Sequence, residues 1–295
     1  MSSAAHLRSP LVERRPRSEQ TGRQIASLLP PHTHYVQPLS GTLEVLLHKP
    51  CSALETVSDV DRELVTFWKV LRDRPAELAR ACALTPHSRV DFSSAISGSR
   101  IPGEANEVEI ARRVWLRLNH SQSGPARMRP QWQNAATHRK MASALDIAID
   151  QMTETAARIK RVSLESAAPV KLIAAVARQL GVCIYLDLRP DVFGAQGASL
   201  VHGARVEPVQ VLRAVSTAKA AVVIRAERSA ITDSPVRSWT CTSVGEQRDG
   251  SAVHLWSNRV LSPKSASLAT TPSPTRMLSG LTSRWMRGSA SSWWR

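Results

Sequence analysis

A short apolar run that ends on an acid is the first place in this sequence where chemistry is expected. Residues 182–186 (Val-Cys-Ile-Tyr-Leu) have the composition of a buried β-strand, and Asp187 follows them directly. In open α/β sheets, ligands and reacting groups collect at the carboxyl ends of the parallel strands. Asp187 is therefore a candidate site residue, although the next three residues, Leu188-Arg189-Pro190, have no obvious chemical role of their own.

The elements that would position this acid alternate between strand and helix. Strand-like runs occur near residues 34–36, 54–59, 162–166, 182–187, 220–226 and 252–259, with amphipathic helical patterns between several of them. From about residue 61 to residue 160 the pattern is helical throughout, with acids early and bases late in each segment, as the helix dipole favours. The sequence thus predicts a doubly wound α/β sheet with an all-helical insertion.

The charge of the chain limits the kinds of partner it could have. Its 295 residues include 39 Lys and Arg but only 24 Asp and Glu, which gives a formal net charge of +15 and a pI near 10.9. A surplus of this size favours a polyanionic partner, most often nucleic acid. A general compositional bias that places Arg on solvated surfaces is the alternative explanation.

The cysteines and the hydropathy pattern argue against several other classes of protein. Cys51, Cys82, Cys183 and Cys241 have neither C-x-x-C spacing nor paired histidines, so we expect buried thiols in a reducing compartment and no metal site. No window approaches the roughly 18 uninterrupted apolar residues of a membrane span. The N-terminus is charged where a signal peptide needs its apolar core, which predicts a cytoplasmic protein.

Composition also predicts the domain boundaries. Residues 1–23 are polar and Arg-rich without a period, and residues 262–295 are rich in Ser, Thr and Pro with positive charges only, so both segments are expected to be disordered. The α/β domain would comprise residues 24–60 and 161–261, and the helical insertion would comprise residues 61–160.

Two strand ends, together with the charge and the helical insertion, carry a resemblance to a known family. They are Tyr35-Val36-Gln37-Pro38-Leu39-Ser40-Gly41-Thr42-Leu43 after the first strand and Tyr185-Leu186-Asp187-Leu188-Arg189-Pro190 after the fourth. From about residue 24 to residue 261 the chain resembles the D12-class DNA adenine N6-methyltransferases. The resemblance implies a Rossmann-like methyltransferase sheet that binds S-adenosylmethionine, with residues 61–160 as the target-recognition domain.

The resemblance also implies a set of cofactor-binding residues. The family has a Y-V-E-P-F-x-G-S-G-like loop that cradles S-adenosylmethionine, and Tyr35, Pro38, Leu39 and Gly41 occupy matching positions here. Asp59, at the end of the second strand, matches the acid that accepts hydrogen bonds from the ribose hydroxyls. Two departures in the loop are Gln37 in place of the family's acid and Leu43 in place of its second glycine.

The catalytic loop departs further from the family. Its members use D-P-P-Y, in which the Asp carboxylate and a backbone carbonyl accept the protons of the adenine amine and the aromatic ring stacks on the flipped base. The chain has Asp187-Leu188-Arg189-Pro190 at this place, so it keeps the acid but lacks the paired prolines and the aromatic ring. After the fifth strand, the family's S-G-Y is replaced by Arg225-Ala226-Glu227.

Residues 111–124 resemble the segment of the family's insertion that approaches DNA. The resemblance makes Arg112, Arg113, Arg117 and Asn119 candidate contacts to double-stranded DNA. A solvated face of the helix is the alternative role for the three arginines.

Three functions are compatible with these patterns. The first is an active adenine-specific DNA methyltransferase, and the second is a degenerate member of that family that keeps the fold and binds duplex DNA without methylating it. The third ignores the resemblance and takes the sheet as the scaffold of a basic nucleic-acid-binding protein. We predict a methyltransferase-family protein with impaired catalysis, monomeric and associated with the nucleoid, with the catalytically dead DNA-binding form as the alternative.

Overall fold

The computed structural model describes residues 7–11, 18–85, 88–96, 106–120, 145–188, 210–211, 214–215, 220–227, 240–246 and 251–257. Seven strands lie in this part of the chain: β1 (His34–Gln37), β2 (Leu54–Ser58), β3 (Ser163–Glu165), β4 (Val182–Leu188), β5 (Ala221–Glu227), β6 (Thr240–Glu246) and β7 (Ser251–Ser257). The helices of the same part of the chain include α1 (Ser18–Leu28), α2 (Glu44–His48), α3 (Arg62–Asp73), α4 (Pro75–Ala83), α5 (Arg89–Ile96), α6 (Glu107–Asn119), α7 (Met152–Ile159) and α8 (Pro169–Val176). Residues 145–150 are also helical.

The seven strands form one sheet in the order β3-β2-β1-β4-β5-β7-β6. The first five strands in this order run parallel, whereas β7 is antiparallel to both β5 and β6. The mixed α/β class and the parallel sheet predicted from the sequence are therefore confirmed. The strand order reverses between β1 and β4, and such a switch point is where open α/β sheets bind their ligands.

Successive side chains of the central strands enter two different cores. On β4, Cys183 and Tyr185 belong to one apolar cluster, whereas Ile184 and Leu186 belong to a second one. Because neighbouring side chains of a strand point to opposite faces, the two clusters lie on the two faces of the sheet. Both faces are covered, which explains why these strands are apolar without interruption.

The two cores are built from different helices. The first contains buried residues of α2, α3, α4, α6 and α7, whereas the second contains Leu172, Ile173 and Val176 of α8. The helices between β2 and β3 thus share one core with a face of the sheet and are not a separate globule. Trp68 of α3 and Trp115 of α6 are among the largest fully buried side chains of this shared core.

Side-chain caps fix the beginnings of two helices in this block. Asp61 precedes α3, and its Oδ1 accepts hydrogen bonds from the amides of Glu63 and Leu64 at 3.0 and 3.3 Å. Asn106 precedes α6, and its Oδ1 accepts one from the amide of Val108 at 3.0 Å. Such caps satisfy amides that have no partner inside the helix. Asp61 is thus the N-cap of α3.

The N-terminal region is more ordered than its composition predicted. Helix α1 begins at Ser18, and Leu11 is buried in the first core. The prediction of disorder for residues 1–23 is therefore wrong for residues 7–11 and 18–23. Composition misled here because this segment is stabilised by contacts with distant parts of the chain, and such contacts leave no local pattern in the sequence.

Two strands differ from their predicted form. Strand β6 was not predicted, because its sequence, Thr-Cys-Thr-Ser-Val-Gly-Glu, has no apolar run or clear alternation. Strand β4 continues one residue past Asp187, to Leu188.

The predicted C-terminal tail, residues 262–295, lies outside the described residues. Within the ranges given above, no helix has the length and apolar content that would let it span a membrane.

Candidate cofactor and catalytic site

Three neighbouring strands end beside one another at the switch point of the sheet. Strand β1 lies between β2 and β4 and pairs in parallel with both. Its loop, residues 38–43, therefore lies between Asp59, which follows β2, and Asp187, near the end of β4. The sheet topology thus brings the predicted cofactor loop, the predicted ribose acceptor and the predicted catalytic acid to the same edge.

The loop after β1 adopts a backbone conformation that favours glycine at two positions. Gly41 has φ of +49°, and a Cβ added there would meet no atom of the described residues within 4 Å. Leu43 has φ of +56°, in the left-handed region that costs a non-glycine residue about 1–2 kcal/mol. Its side chain is nevertheless fully buried in the first core. Leu43 therefore combines a strained backbone with a packed side chain.

Contacts inside the protein support the loop after β1. Tyr35 is fully buried, and its hydroxyl donates to Oε1 of Gln37 at 2.9 Å. Gln37 donates through Nε2 to the carbonyl oxygens of Leu39 and Ser40 at 3.1 and 2.9 Å. Leu39 is buried in the second core, and Pro38 lies between Gln37 and Leu39. The side chains of Tyr35 and Leu39, two of the predicted cofactor residues, thus lie in the protein core.

Asp59 is buried and bound to the same loop. Its Oδ2 accepts hydrogen bonds from the amide and the hydroxyl of Ser40 at 3.0 and 2.9 Å, and its Oδ1 accepts one from the amide of Asp61 at 3.0 Å. Burial raises the pKa of Asp59, and the hydrogen bonds from Asp61, Ser40 and Gly41 offset part of this shift. The acid predicted to bind ribose therefore joins the end of β2 to the loop after β1.

Asp187 lies within the sheet, one residue before its strand ends. It is half-buried, and its backbone is paired with that of Arg225 on β5, while Leu188 is paired with Ala226. Leu188 thus continues the pairing of β4 with β5 one residue beyond the acid. Arg189 and Pro190 lie outside the described residues.

Strand β5 also continues to the residues that were compared with S-G-Y. Arg225, Ala226 and Glu227 are the last residues of this strand and also pair with β7. Arg225 and Ala226 lie within the predicted strand-like run of residues 220–226, and Glu227 extends it by one residue.

The arginines predicted to contact DNA are engaged in ion pairs within the helical block. Arg112 and Arg113 both bind Glu109, with N···O distances of 2.7 and 3.0 Å. Arg117 is buried and donates to Glu63 at 2.6 Å and to the carbonyl of Ala95 at 3.3 Å. The guanidinium of Arg117 thus joins α6 to α3 and α5, and its contact to DNA stays a prediction.

Asn119, also predicted as a DNA contact, is bound inside the protein. Its side chain is fully buried, and its Nδ2 donates to the carbonyl of Pro10 at 3.0 Å. The neighbouring Arg8 is held in the same way, since its amide donates to Gln151 at 2.8 Å and its carbonyl accepts from Thr155. Asn119 thus fastens the N-terminal segment to α6, which is a long-range role that a single sequence does not reveal.

Sequence reasoning missed a buried cluster of charges at the beginning of β2. Glu55 of β2 accepts hydrogen bonds from Lys49 at 2.6 Å and from both terminal nitrogens of Arg158 on α7 at 2.6 and 2.9 Å. Burial raises the pKa of Glu55, but the hydrogen bonds from Arg158 and Lys49 outweigh it, so the pKa lies below its ordinary value. The sequence contains no signal for this cluster, because Arg158 is 103 residues away from Glu55.

In the ranges that the structure describes, no group of three or more His, Cys, Asp and Glu side chains is placed to hold a metal ion. The arrangement at the sheet edge can offer hydrogen bonds and a carboxylate to a ligand. Open space beside Gly41 lets a ligand approach the backbone there.

Comparisons with known proteins give limited further information. No protein-family model matches the chain, and no curated protein sequence matches it significantly. Among solved structures, the chain is similar to a methyltransferase from Geobacter sulfurreducens, with 13% sequence identity and a TM-score of 0.37 over 84% of this chain and 80% of that one. A TM-score below 0.5 does not establish a common fold, so the functional argument rests on this chain's own residues.

Proposed function

We propose that the chain is a DNA methyltransferase-type protein that binds S-adenosylmethionine and duplex DNA, with adenine N6 as its target and with impaired catalysis. The observation that carries this proposal is the common edge of β2, β1 and β4. Asp59, the loop of residues 38–43 and Asp187 lie there, at the switch point of a largely parallel sheet. A sheet of five parallel strands followed by an antiparallel β7 between β5 and β6 is consistent with a Rossmann-like methyltransferase.

The residues at this edge fit the proposed cofactor in part. The positive φ and open surroundings of Gly41 suit the close approach of a ligand to the loop backbone. Asp59 is an acid at the end of the strand next to this loop, as ribose binding requires, although its oxygens already accept hydrogen bonds from the protein. When bound, S-adenosylmethionine would supply the methyl group on its sulfonium.

Asp187 would accept a hydrogen bond from the target amine. Its carboxylate would orient the amine of an extruded adenine toward the methyl donor. The loop that follows lacks an aromatic ring, and base stacking on such a ring is worth about 1–3 kcal/mol. A loss of about 2 kcal/mol lowers binding of the flipped base roughly thirtyfold, which is the reason for proposing impaired catalysis.

The experiment that tests this function measures transfer of a labelled methyl group from S-adenosylmethionine to adenine in duplex DNA. We expect little transfer by the natural chain and measurable transfer after Leu188-Arg189-Pro190 is replaced by Pro-Pro-Tyr. Adding Asp187→Ala to the repaired chain should abolish the gain, because it removes the proposed acceptor of the amine.

The outcomes separate the possible explanations. Strong transfer by the unmodified chain would show that catalysis is not impaired. Absence of transfer by the repaired chain, despite measured binding of S-adenosylmethionine, would place the defect outside residues 187–190. A repaired chain that binds duplex DNA but not the cofactor would favour the second candidate function, a catalytically dead DNA-binding remnant. The specific observation in favour of this remnant is that Asp59 already accepts hydrogen bonds from the protein.

A further inference from the structure

The hydrogen bonds of Asp59 leave little room for a ligand. A carboxylate offers about four acceptor positions. Three protein hydrogen bonds reach Asp59, from the amides of Ser40 and Asp61 and from the hydroxyl of Ser40, and the amide of Gly41 also lowers the pKa of this acid. The protein's own donors therefore occupy most of the acceptor positions of Asp59, which is only 7% exposed.

These donors differ in how readily they can leave. The amides belong to the backbone, and their positions are fixed by the loop and by the start of α3. The hydroxyl of Ser40 turns away by rotation about a single bond, with three staggered positions available to it. If a ligand hydroxyl binds Asp59, the donor with the smallest cost of displacement is thus Ser40 Oγ.

We infer that Ser40 is an affinity-determining residue of the proposed cofactor site, where its hydroxyl competes with the ribose hydroxyls of the ligand for Asp59. This inference rests on the proposed cofactor binding and goes beyond it, because it assigns a role to a residue that the sequence patterns did not single out. Ser40 is almost fully buried, and its amide remains bound to Asp59 when its hydroxyl turns. The loop therefore keeps its anchor while one acceptor position opens.

The inference predicts an unusual result, namely that removing a polar side chain from a ligand site strengthens binding. Ser40→Ala keeps the backbone amide and removes the competing hydroxyl. We expect the variant to bind S-adenosylhomocysteine about tenfold more tightly than the natural chain, a change that corresponds to ~1.4 kcal/mol. The affinity for the 2′,3′-dideoxy form of the same ligand should stay the same, because that ligand has no ribose hydroxyl to compete with Ser40.

The measurement is calorimetric titration of the full chain with each of the two ligands. Ser58→Ala is the matched control, because Ser58 is a buried serine on β2 whose hydroxyl bonds the backbone of Ala167 and not Asp59. It tests whether loss of any buried hydroxyl nearby changes the affinity. If Ser40→Ala fails to fold by circular dichroism, Ser40→Gly removes the same hydroxyl and replaces it in the experiment.

Each result has a definite meaning. A gain in affinity for S-adenosylhomocysteine alone, seen in Ser40→Ala and absent in Ser58→Ala, supports the competition. Equal changes for both ligands, or no change, overturn the role of Ser40 while leaving cofactor binding intact. Failure of the natural chain and of the Ser40 variant to bind either ligand overturns the proposed cofactor site together with this inference.

Discussion

Side chains at the loop after β1 stabilise the loop itself, and a ligand would need some of the same groups. Gln37 binds two carbonyl groups of the loop, and Asp59 binds its amides, so the loop is supported from β1 and from β2. A loop held in this way is preorganised, which lowers the cost of ordering it when a ligand binds. The same contacts occupy groups that the ligand would use. In the proposed function, this conflict between support and recognition would weaken binding of the cofactor.

Leu43 provides a test of backbone strain at the scale of one residue. Alanine at this position would lose most of the buried side chain and keep the unfavourable φ, at a cost of about 2–5 kcal/mol. Glycine would lose slightly more apolar surface but relieve a strain of about 1–2 kcal/mol. We therefore expect Leu43→Gly to be more stable than Leu43→Ala by about 0.5–1 kcal/mol, although both are less stable than the natural chain.

Urea unfolding of the three proteins measures this order. In an ordinary helical position glycine is the less stable of the two by roughly 0.5–1 kcal/mol. Finding that usual order here would show that Leu43 does not have the left-handed conformation.

At the scale of elements, the ion cluster of Lys49, Glu55 and Arg158 joins the helical block to the sheet. Arg158 of α7 reaches Glu55 of β2 and also donates to the carbonyl of Leu46 in α2 at 2.7 Å. Both Lys49 and Glu55 have almost completely buried side chains. Buried charges of this kind need one another, because each alone would lack compensation for its lost hydration.

We expect Glu55→Gln to lower the free energy of unfolding by about 3–5 kcal/mol at neutral pH, because it leaves two buried cations without their anion. The pKa of Glu55 is lowered in the folded state, so its contribution is present above its ordinary pKa. This contribution is lost as the pH falls through the lowered pKa. Unfolding curves between pH 7 and pH 3 should therefore show less acid sensitivity for Glu55→Gln than for the natural chain.

Equal acid sensitivity of the two proteins would assign the acid-dependent stability to other carboxylates. Glu77→Gln is a suitable control, because Glu77 is exposed and its distance of 3.7 Å from Arg74 makes a weak surface pair. Its substitution should change the free energy of unfolding by less than about 1 kcal/mol.

The ion pairs of the α6 arginines also act at the scale of elements. Arg117→Ala should lower the free energy of unfolding by about 2–3 kcal/mol, because it removes a largely buried pair and leaves Glu63 without this cation. Arg113→Ala should cost less than about 1 kcal/mol, since Arg112 also binds Glu109.

Duplex binding by the folded Arg117→Ala chain should keep its salt dependence, which fluorescence anisotropy at several salt concentrations measures. A flatter salt dependence would instead support Arg117 as a contact to DNA.

The sequence predicts the secondary-structure elements better than it predicts the contacts between them. Strands β4 and β5 were predictable because their apolar runs contribute side chains to the cores on both faces of the sheet. The caps at Asp61 and Asn106 have local signatures as well. Roles such as those of Asn119 and Arg158 depend on partners more than 100 residues away, and nothing in the local pattern indicates them. The resemblance placed Asp59 and Asp187 at one edge of the sheet, but it did not indicate what Asp59 binds.

At the scale of the whole molecule, the positive charge is unevenly distributed. The described residues contain 18 Lys and Arg and 18 Asp and Glu, so their formal charge is zero. The remaining residues contain 21 basic and 6 acidic ones and carry the entire surplus of +15. Residues 121–144 have four basic residues and no acid, and residues 258–295 have six and no acid. Any general attraction to DNA must therefore arise mainly from these parts of the sequence.

The last prediction separates these segments from the described part of the chain. We expect neutralisation of Arg127, Arg129, Arg139 and Lys140 by glutamine to weaken duplex binding and to flatten its salt dependence, because each lost phosphate contact lowers the slope by about 0.9. The control replaces four exposed basic residues of the described part, Lys160, Arg161, Lys171 and Arg178, and changes the net charge by the same amount. If long-range attraction by net charge were the whole cause, both variants would lose affinity equally. A larger loss for the first variant, measured by anisotropy over a range of salt concentrations, would instead show that residues 121–144 contact the phosphates. That outcome would keep the DNA-binding role within the helical insertion while moving it from α6 to the basic segment that follows.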